Sequence, residues 1–332
     1  FISNFRNMLP GSTQINILGL RTPFTNGDYL LAWLFNKTAS NQVAVYHLFR
    51  TTNANAPAGS VVWEEIDIPR HDQISGLDFD PANEDVIYLS YSSSANNNVA
   101  EKMIYRIDCN STGNPPDITH NLPVATSYDN AIAVQKGNNG GIYIATEFGI
   151  FYTDNDLLQQ TGNEWRLVGN GLPHVIPHSI EINYISNTLR VGTYGRGVWE
   201  IPLPCINNED ALVITNNTTW DSYMRLDRSV KVGYMATLTI TEYARICMPA
   251  EAKIIVEPGG KLIVNGGTIT SGCEYPWQGI EVWGNSAQHQ WPNSNGAYMQ
   301  GYVELNDATI ENAICALSLW KPGDYSKTGG MV

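Results

Sequence analysis

The sequence carries little charge. Asp, Glu, Lys and Arg make up only 15% of its 332 residues, whereas about a quarter is usual for a globular protein. The 19 basic residues against 32 acidic ones leave a net charge of −13. That argues against a nucleic-acid-binding protein, because such a protein needs a basic face for the phosphates. With only eight Lys but 29 Gly and 17 Pro, the composition favours turns over helices and predicts an all-β fold.

Long apolar runs are also lacking. The longest is Tyr29–Phe35, seven residues, which suits a buried strand and is far too short for a membrane-spanning helix. The chain begins at Phe1 without a recognisable signal peptide. We therefore expect it to be a piece of a longer protein.

The chemistry-bearing motifs that can be named are missing. The five Cys form no CxxC pair and none lies beside a His at metal spacing, so no zinc site is predicted. The sequence contains no HExxH, GxSxG, GxGxxG or GxxxxGK[ST], and these are the signatures of metalloproteases, serine hydrolases and nucleotide cradles. We predict no catalytic, cofactor-binding or metal-ligating residue, although Ca²⁺ remains an unsupported option.

An internal repeat organises the first half of the chain. Pro10, Pro69, Pro123 and Pro173 each follow an apolar residue and precede an Ile-containing strand, at spacings of 59, 54 and 50 residues. Each unit then offers three or four short strands joined by Gly, Asn and Asp turns. Four antiparallel strands every 50 residues are typical of a β-propeller blade. The alternative is a β-sandwich with accidental spacing.

Two segments add a resemblance. GIYIATEFGIFYTDNDLLQQTGNEW (141–165) and TLRVGTYGRGVWEIPL (188–203) are similar to propellers of the sortilin and xyloglucanase kind, with Thr153, Asp154 and Trp165 as a degenerate Asp-box turn. The resemblance implies that residues 1–203 are about four propeller blades, packed by Tyr88, Tyr143, Phe151 and Trp199. FISNFRNM before Pro10 is then the outer strand of a preceding blade, so the N-terminal part of the propeller is expected to be missing.

The pattern changes after Pro202. Residues 204–236 are expected to be a connector. From Thr237 to Val332 the strands are three to five residues long and recur every eight to ten residues, which predicts the coils of a right-handed parallel β-helix. Alternation within these strands points six side chains inward: Ile254, Val256, Leu262, Val264, Ile269 and Ile280.

VEPGGKLIVNGGTIT, WQGIEVWG and ATIENA resemble the β-helix modules of large proteins exported by Bacteroidota, often by type IX secretion. The resemblance implies an extracellular or outer-surface location, an export machinery as a partner and a β-helix whose C-terminal part is missing. An oxidising exterior favours disulfides. Cys247 and Cys273 are 26 residues apart, about one coil plus a turn, and are the first predicted pair. Cys109 and Cys205 are a weaker one, and Cys315 is expected to be a buried free thiol.

Nine Trp and 17 Tyr raise the question of carbohydrate binding, although aromatic residues also fill blades. Trp277, Trp283 and Trp291 stand out because they lie in a Gly, Asn and Ser-rich stretch (272–300) that is predicted to be a long loop, and loops on rigid scaffolds often carry binding. They are the candidate ligand-binding residues. Glycans or other surface proteins are the expected partners.

Clustered carboxylates are the remaining signal. Asp78, Asp80 and Asp85 lie in LDFDPANEDV, and Asp154 and Asp156 lie in a later loop. Asp side chains commonly cap turns, whereas a glycosidase needs two carboxylates across a cleft. The sequence therefore predicts a non-catalytic chain, and together with the resemblance this implies an extracellular adhesin or scaffold. The alternative is a carbohydrate-active enzyme, either a propeller-type glycoside hydrolase or a β-helix polysaccharide lyase.

Overall fold

The computed structural model describes residues 2–332 except 24–25, 41–42, 58, 93–102, 124–130, 137–140, 163, 169–170, 173 and 295–297. The fold is all-β, with antiparallel and parallel sheets. It divides into unit 1, Phe1–Gln135 with Gly140–Ile201, and unit 2, Pro202–Val332. Pro173, the last repeat proline, lies outside the described residues. Within the described part of the chain, no helix combines the length and apolarity that a membrane crossing requires.

The described residues of unit 1 form four antiparallel sheets, numbered 1 to 4, each built from strands in chain order. Sheet 1 has β1 (Ser12–Arg21), β2 (Leu30–Thr38), β3 (Val45–Thr51) and β4 (Glu64–Ile66), and sheet 2 has β5 (Ile74–Asp80), β6 (Asn83–Tyr91) and β7 (Ile104–Asp108). Sheet 3 has β8 (Ala131–Val134), β9 (Ile142–Thr146), β10 (Gly149–Thr153) and β11 (Arg166–Val168), with a 3₁₀ turn at Leu157–Gln159. Sheet 4 has β12 (Pro177–Asn183), β13 (Thr188–Thr193) and β14 (Gly197–Pro202).

Neighbouring sheets of unit 1 bury apolar faces against each other. Leu31 and Leu48 of sheet 1 share a cluster with Leu77 and Ile87 of sheet 2. Of the residues expected to pack these faces, Tyr88 and Tyr143 are buried and Phe151 packs on the core. The expectation for Trp199 is wrong, because its side chain stays 39% exposed on β14.

The N-terminal segment is a helix, α1 (Ile2–Met8), and not the strand expected there. Phe5 is fully buried, and its ring centroid lies 5.0 Å from those of Phe49 and Trp63. Met8 and Leu9 pack on the same cluster. Spacings of three and four residues place these side chains on one face of a helix, so burial against sheet 1 favours the helical conformation.

Unit 2 follows a different rule, because each strand pairs in parallel with the strand three places later. Its strands in the three parallel sheets are β15 (Asn208–Ile214), β16 (Thr218–Trp220), β17 (Tyr223–Arg225), β18 (Arg228–Val232), β19 (Thr237–Ile240), β20 (Arg245–Met248), β21 (Lys253–Val256), β22 (Lys261–Asn265), β23 (Thr268–Ser271), β24 (Trp277–Val282), β25 (Tyr302–Asn306), β26 (Thr309–Ile310) and β27 (Ala313–Ser318). A hairpin of β28 (Trp320–Lys321) and β29 (Asp324–Thr328) follows.

Stacked strands place like residues above one another in the core of unit 2. Val230, Ile254 and Ile280 lie in register, as do Leu238, Leu262 and Val303. The prediction of six inward side chains is confirmed, since all six are at most 1% exposed and belong to one cluster. A fully buried aliphatic side chain contributes about 1.5–3 kcal/mol, so the stacked aliphatic residues stabilise unit 2.

The segment expected to be a connector instead forms strands. Four of them, β15 to β18, lie within residues 204–236, and β15 pairs in parallel with β18. Three apolar residues of this segment join the same core cluster: Ile214, Trp220 and Leu226. These strands are short and polar turns separate them. Hydrophobic periodicity needs longer segments to be recognised, so it did not identify them in the sequence.

Candidate functional site

Among the described residues, the longest insertion in unit 2 lies between β24 and β25. Its described parts, residues 284–294 and 298–300, are here called the loop. From Leu238 to Leu262 the register step is 24 residues, but from Leu262 to Val303 it is 41. The extra residues leave after β24 and return at β25. A long loop on a rigid sheet is the place where binding residues are commonly found.

Gln300 ties the base of this loop together. Its side chain is 1% exposed, its Oε1 accepts the Asn285 N–H at 2.6 Å, and its Nε2 donates to the carbonyl oxygens of Asn285 and Gln288 at 3.1 and 2.9 Å. Next to it, a Cβ on Gly301 would lie 2.6 Å from the Val256 carbonyl oxygen, so only glycine allows the chain to re-enter the sheet here. The loop is therefore held at both ends.

The hairpin of β28 and β29 lies against the start of the loop. The N–H of Gly284 donates to Lys327 O at 3.0 Å and that of Ser286 donates to Ser326 O at 3.1 Å. Further along, Gln290 Nε2 donates to Gly329 O at 3.4 Å. Loop and hairpin thus form one continuous surface of unit 2.

This surface displays four exposed aromatic side chains, here called the aromatic surface: Trp291, Tyr298, Trp320 and Tyr325. Trp291 is 82% exposed and Tyr325 is 78% exposed. Tyr298 stacks on Tyr302 with ring centroids 5.2 Å apart, and Trp320 stacks on Tyr325 at 5.6 Å. Stacking holds three of the four rings in fixed orientations, which reduces the entropy lost when a ligand packs on them.

Charged groups lie beside the aromatic rings. Asp324 Oδ1 accepts hydrogen bonds from the Ser326 hydroxyl and N–H, which lower the pKa of that carboxyl, so it is ionised at neutral pH. Lys321 Nζ lies 3.8 Å from Asp324 and 4.9 Å from the Trp283 ring. The hairpin thus adds hydrogen-bonding groups to the aromatic faces.

The structure separates the three predicted tryptophans. Trp291 is exposed, and Trp283 is half-buried with its Nε1 donating to Glu281 and Lys321 over its ring. Trp277 is fully buried on β24, and its Nε1 donates to Glu311 O at 3.0 Å, so the expectation of a ligand-binding role is wrong for this residue. Trp277 lies in a strand and not in a loop, so its side chain points into the core.

Sequence reasoning missed Tyr298, Trp320 and Tyr325. Trp320 and Tyr325 flank Pro322-Gly323, a turn signal, and that signal was available. Tyr298 has no such signature, because its position depends on where the loop returns to the sheet.

The disulfide joins Cys205 to Cys273, with Cα atoms 5.5 Å apart. The predicted pairs Cys247–Cys273 and Cys109–Cys205 are wrong, since Cys109 and Cys247 are buried free thiols. Parallel pairing aligns Cys247 with Thr270, three residues short of Cys273. Arg225 Nη2 donates to the carbonyl oxygens of Pro204 and Gly272 at 3.1 and 2.8 Å, and this brings Cys205 next to Cys273.

The free thiols differ in exposure, which gives a first prediction. Burial raises the pKa of Cys109 to about 11 and also raises that of Cys247, whereas Cys315 is exposed on β27 and not buried as expected. Reactivity needs the thiolate and access to it. We expect one native thiol to react with Ellman's reagent and three in denaturant, and Cys315→Ser to abolish the native reaction. A native reaction that survives Cys315→Ser would contradict this assignment.

The clustered carboxylates have two roles. Asp80 Oδ1 accepts the Ala82 N–H at 2.9 Å, and Asp154 Oδ1 accepts the Asp156 N–H at 3.0 Å, so both cap turns as predicted. Asp78 does not. It is buried on β5, where Oδ1 contacts Arg21 of β1 at 3.0 Å and Oδ2 accepts the Val134 N–H of β8 at 2.8 Å.

Arg21 also reaches Glu181 of β12 at 3.4 Å, so the cluster of Arg21, Asp78 and Glu181 joins the first strands of all four sheets of unit 1. Burial lowers the pKa of Arg21, but the charges of Asp78 and Glu181 outweigh it and raise the value. Both oxygens of Asp78 already have partners, so this carboxylate is occupied by structural contacts. Elsewhere in the described chain, no group of three His, Cys, Asp or Glu side chains is placed to hold a metal ion.

Neither a protein-family model nor a curated protein matches this sequence. The candidate site therefore rests on its own geometry.

Proposed function

We propose that the chain is a non-catalytic, extracellular binding segment of a large surface or secreted protein, acting as an adhesin or scaffold. In this proposal unit 1 is a set of β-propeller blades of the sortilin and xyloglucanase kind, and unit 2 is a right-handed parallel β-helix. Two observations support this fold assignment. The four antiparallel sheets of unit 1 contact one another through their first strands, and in unit 2 every third strand pairs in parallel. The disulfide is compatible with an oxidising location.

The observation that carries the binding role is the aromatic surface. Large exposed aromatic rings on a pinned loop are costly to leave in water and serve well as flat stacking platforms. The net charge of −13 disfavours acidic polysaccharides by long-range repulsion. We therefore assign neutral glycans as the ligand class.

Binding is tested on a glycan array of neutral and acidic oligosaccharides, with and without Ca²⁺. We expect neutral glycans to bind and Trp291→Ala to weaken binding about tenfold, because a lost stacking contact of about 1.4 kcal/mol corresponds to that factor. Tyr243→Ala is the matched control, since Tyr243 is 81% exposed in a turn outside the aromatic surface. Equal losses in both variants, or no neutral ligand at all, would count against the proposal.

The enzyme alternative predicts turnover. Its requirement is a pair of free carboxylates across a cleft, and Asp78 and Glu181 are instead joined through Arg21. Incubation of the chain with neutral polysaccharides and chromatography of the products tests it. Release of oligosaccharides that disappears with Glu181→Gln would overturn the non-catalytic assignment.

A further inference from the structure

A chain of side-chain hydrogen bonds crosses sheet 1 from its first strand to its last. The Ser12 hydroxyl of β1 donates to Leu9 O at 2.8 Å, and Asn36 Nδ2 of β2 lies 2.8 Å from the same hydroxyl oxygen. Asn36 Oδ1 lies 3.1 Å from Nε2 of His47 on β3, whose Nδ1 lies 2.6 Å from Glu65 Oε1 on β4. Asn36 and His47 are buried. The chain therefore connects all four strands through a mostly buried route.

The direction of each hydrogen bond follows from the Leu9 carbonyl. A carbonyl oxygen can only accept, so the single hydroxyl proton of Ser12 is used there, and Ser12 Oγ accepts from Asn36. The amide nitrogen of Asn36 thus faces Ser12 and its oxygen faces His47, which therefore donates from Nε2. The other ring nitrogen, Nδ1, faces the carboxylate of Glu65, which also accepts. Both ring nitrogens of His47 therefore carry a proton in this arrangement.

A neutral His47 ring does not fit this chain. Loss of the Nε2 proton leaves a lone pair of the ring against the Asn36 oxygen. If the Asn36 amide turns over, its oxygen faces the Ser12 hydroxyl, whose proton is already donated to Leu9 O. Loss of the Nδ1 proton instead leaves a lone pair against the Glu65 carboxylate. Each arrangement leaves a mostly buried acceptor without a donor, which costs free energy.

Two titratable groups face His47 in the described part of the chain. Glu65 is its ion-pair partner, and the ring centroid of His71 lies 5.7 Å from that of His47. The remaining charged side chains on the elements around it are exposed, paired with each other or on the opposite face of the sheet: Arg6, Lys37, Arg50, Glu64, Arg70 and Asp72. Glu65 is therefore the counter-charge of the His47 ring.

We propose that His47 is a proton-dependent lock on sheet 1 and on the turn that follows α1. The protonated ring donates at both nitrogens and so connects β4, through Glu65, to Asn36, Ser12 and the Leu9 carbonyl. Histidine ordinarily loses its proton in the neutral pH range, so folded unit 1 then holds a proton that the unfolded chain has released. Because the folded state binds more protons, unit 1 becomes less stable as the pH rises. This property is independent of the proposed glycan binding.

Nitrogen NMR of the full chain with isotope-labelled histidine reads the protonation state directly. The chain has six His, and the spectrum of His47→Gln identifies the His47 signals by their loss. At about pH 7.5 we expect both ring nitrogens of His47 to be protonated. Ser12→Ala removes the acceptor that orients Asn36, so the amide can turn its nitrogen toward the ring. We expect His47 to be neutral in this variant at the same pH, although the substitution touches neither the ring nor Glu65.

Urea unfolding of unit 1 measures the effect of the lock on stability. From about pH 6.5 to 8.5, the unfolding equilibrium constant should rise more steeply in the parent chain than in His47→Gln, by at most about tenfold per pH unit, the limit for one proton. Any contribution of Asp78 is common to both chains and cancels. His174→Gln changes an exposed histidine of unit 1 and is the matched control, which should keep the slope of the parent chain.

Three results would overturn the proposal. They are an unprotonated ring nitrogen of His47 in the parent chain at that pH, a ring still doubly protonated in Ser12→Ala, and equal slopes in the parent chain and His47→Gln. If His47→Gln does not fold, through-bond assignment identifies the His47 signals. The spectra of the parent chain and of Ser12→Ala then decide the question.

Discussion

Removing the Cys205–Cys273 disulfide is expected to lower the free energy of unfolding of unit 2 by about 4 kcal/mol. The bond closes a loop with a sequence separation of 68 residues. The chain-entropy relation gives about 4 kcal/mol for a loop of that length, because the cross-link restricts the unfolded chain. Urea unfolding of the Cys205→Ala/Cys273→Ala double variant measures the loss.

The matched control is Cys315→Ala, which removes an exposed thiol that is in no disulfide and should change stability by less than about 0.5 kcal/mol. The unfolding of unit 1 should not shift, since both disulfide cysteines belong to unit 2. A double variant as stable as the parent chain would show that Arg225 and the parallel ladder alone hold Cys205 beside Cys273.

Asp78→Ala is expected to destabilise unit 1 by about 3 kcal/mol. The substitution leaves the Val134 N–H without its acceptor and deprives the half-buried Arg21 of its nearest carboxylate. Leaving one partner of a buried charge pair behind costs several kcal/mol, and partial exposure of Arg21 reduces the figure. Differential scanning calorimetry of the full chain reports the shift.

Two variants separate this contact from general effects. Asp80→Ala removes a turn cap in the same sheet and should cost about 1 kcal/mol. Glu181→Gln should cost less than about 0.5 kcal/mol, because its side chain is 65% exposed. An Asp78→Ala chain no less stable than Asp80→Ala would refute the role of Asp78 in joining the sheets.

The same residue gives a pH dependence with a defined sign. Burial raises the pKa of Asp78, although Arg21 and the Val134 N–H oppose the shift. The Asp78 carboxyl therefore keeps its proton to higher pH in the folded unit than in the unfolded chain. Its contribution to the free energy of unfolding falls as the pH rises from the ordinary pKa of 3.8 to the raised pKa of the folded state. Above that value the contribution is constant. Asp78→Asn should remove this part of the pH profile.

The amino-acid sequence alone determined the fold class and the core of unit 2. Turn-rich composition favoured an all-β fold, and the two-residue period of a strand identified residues such as Ile254 and Leu262 as inward-facing. These properties are readable because they depend on local periodicity, which each strand carries by itself.

Tertiary structure alone decided which distant residues contact each other and which side chains are buried. The pairing of Cys205 with Cys273 depends on a parallel register and on Arg225, neither of which leaves a periodic trace in the sequence. In the sequence Asp78 has the pattern of a turn residue. It connects sheets only because β1, β5 and β8 lie next to each other in the fold. Trp277 and Trp291 are 14 residues apart in one polar stretch, yet one fills the core and the other faces solvent. Long-range contacts set each of these outcomes, because burial and register depend on residues far away in the chain.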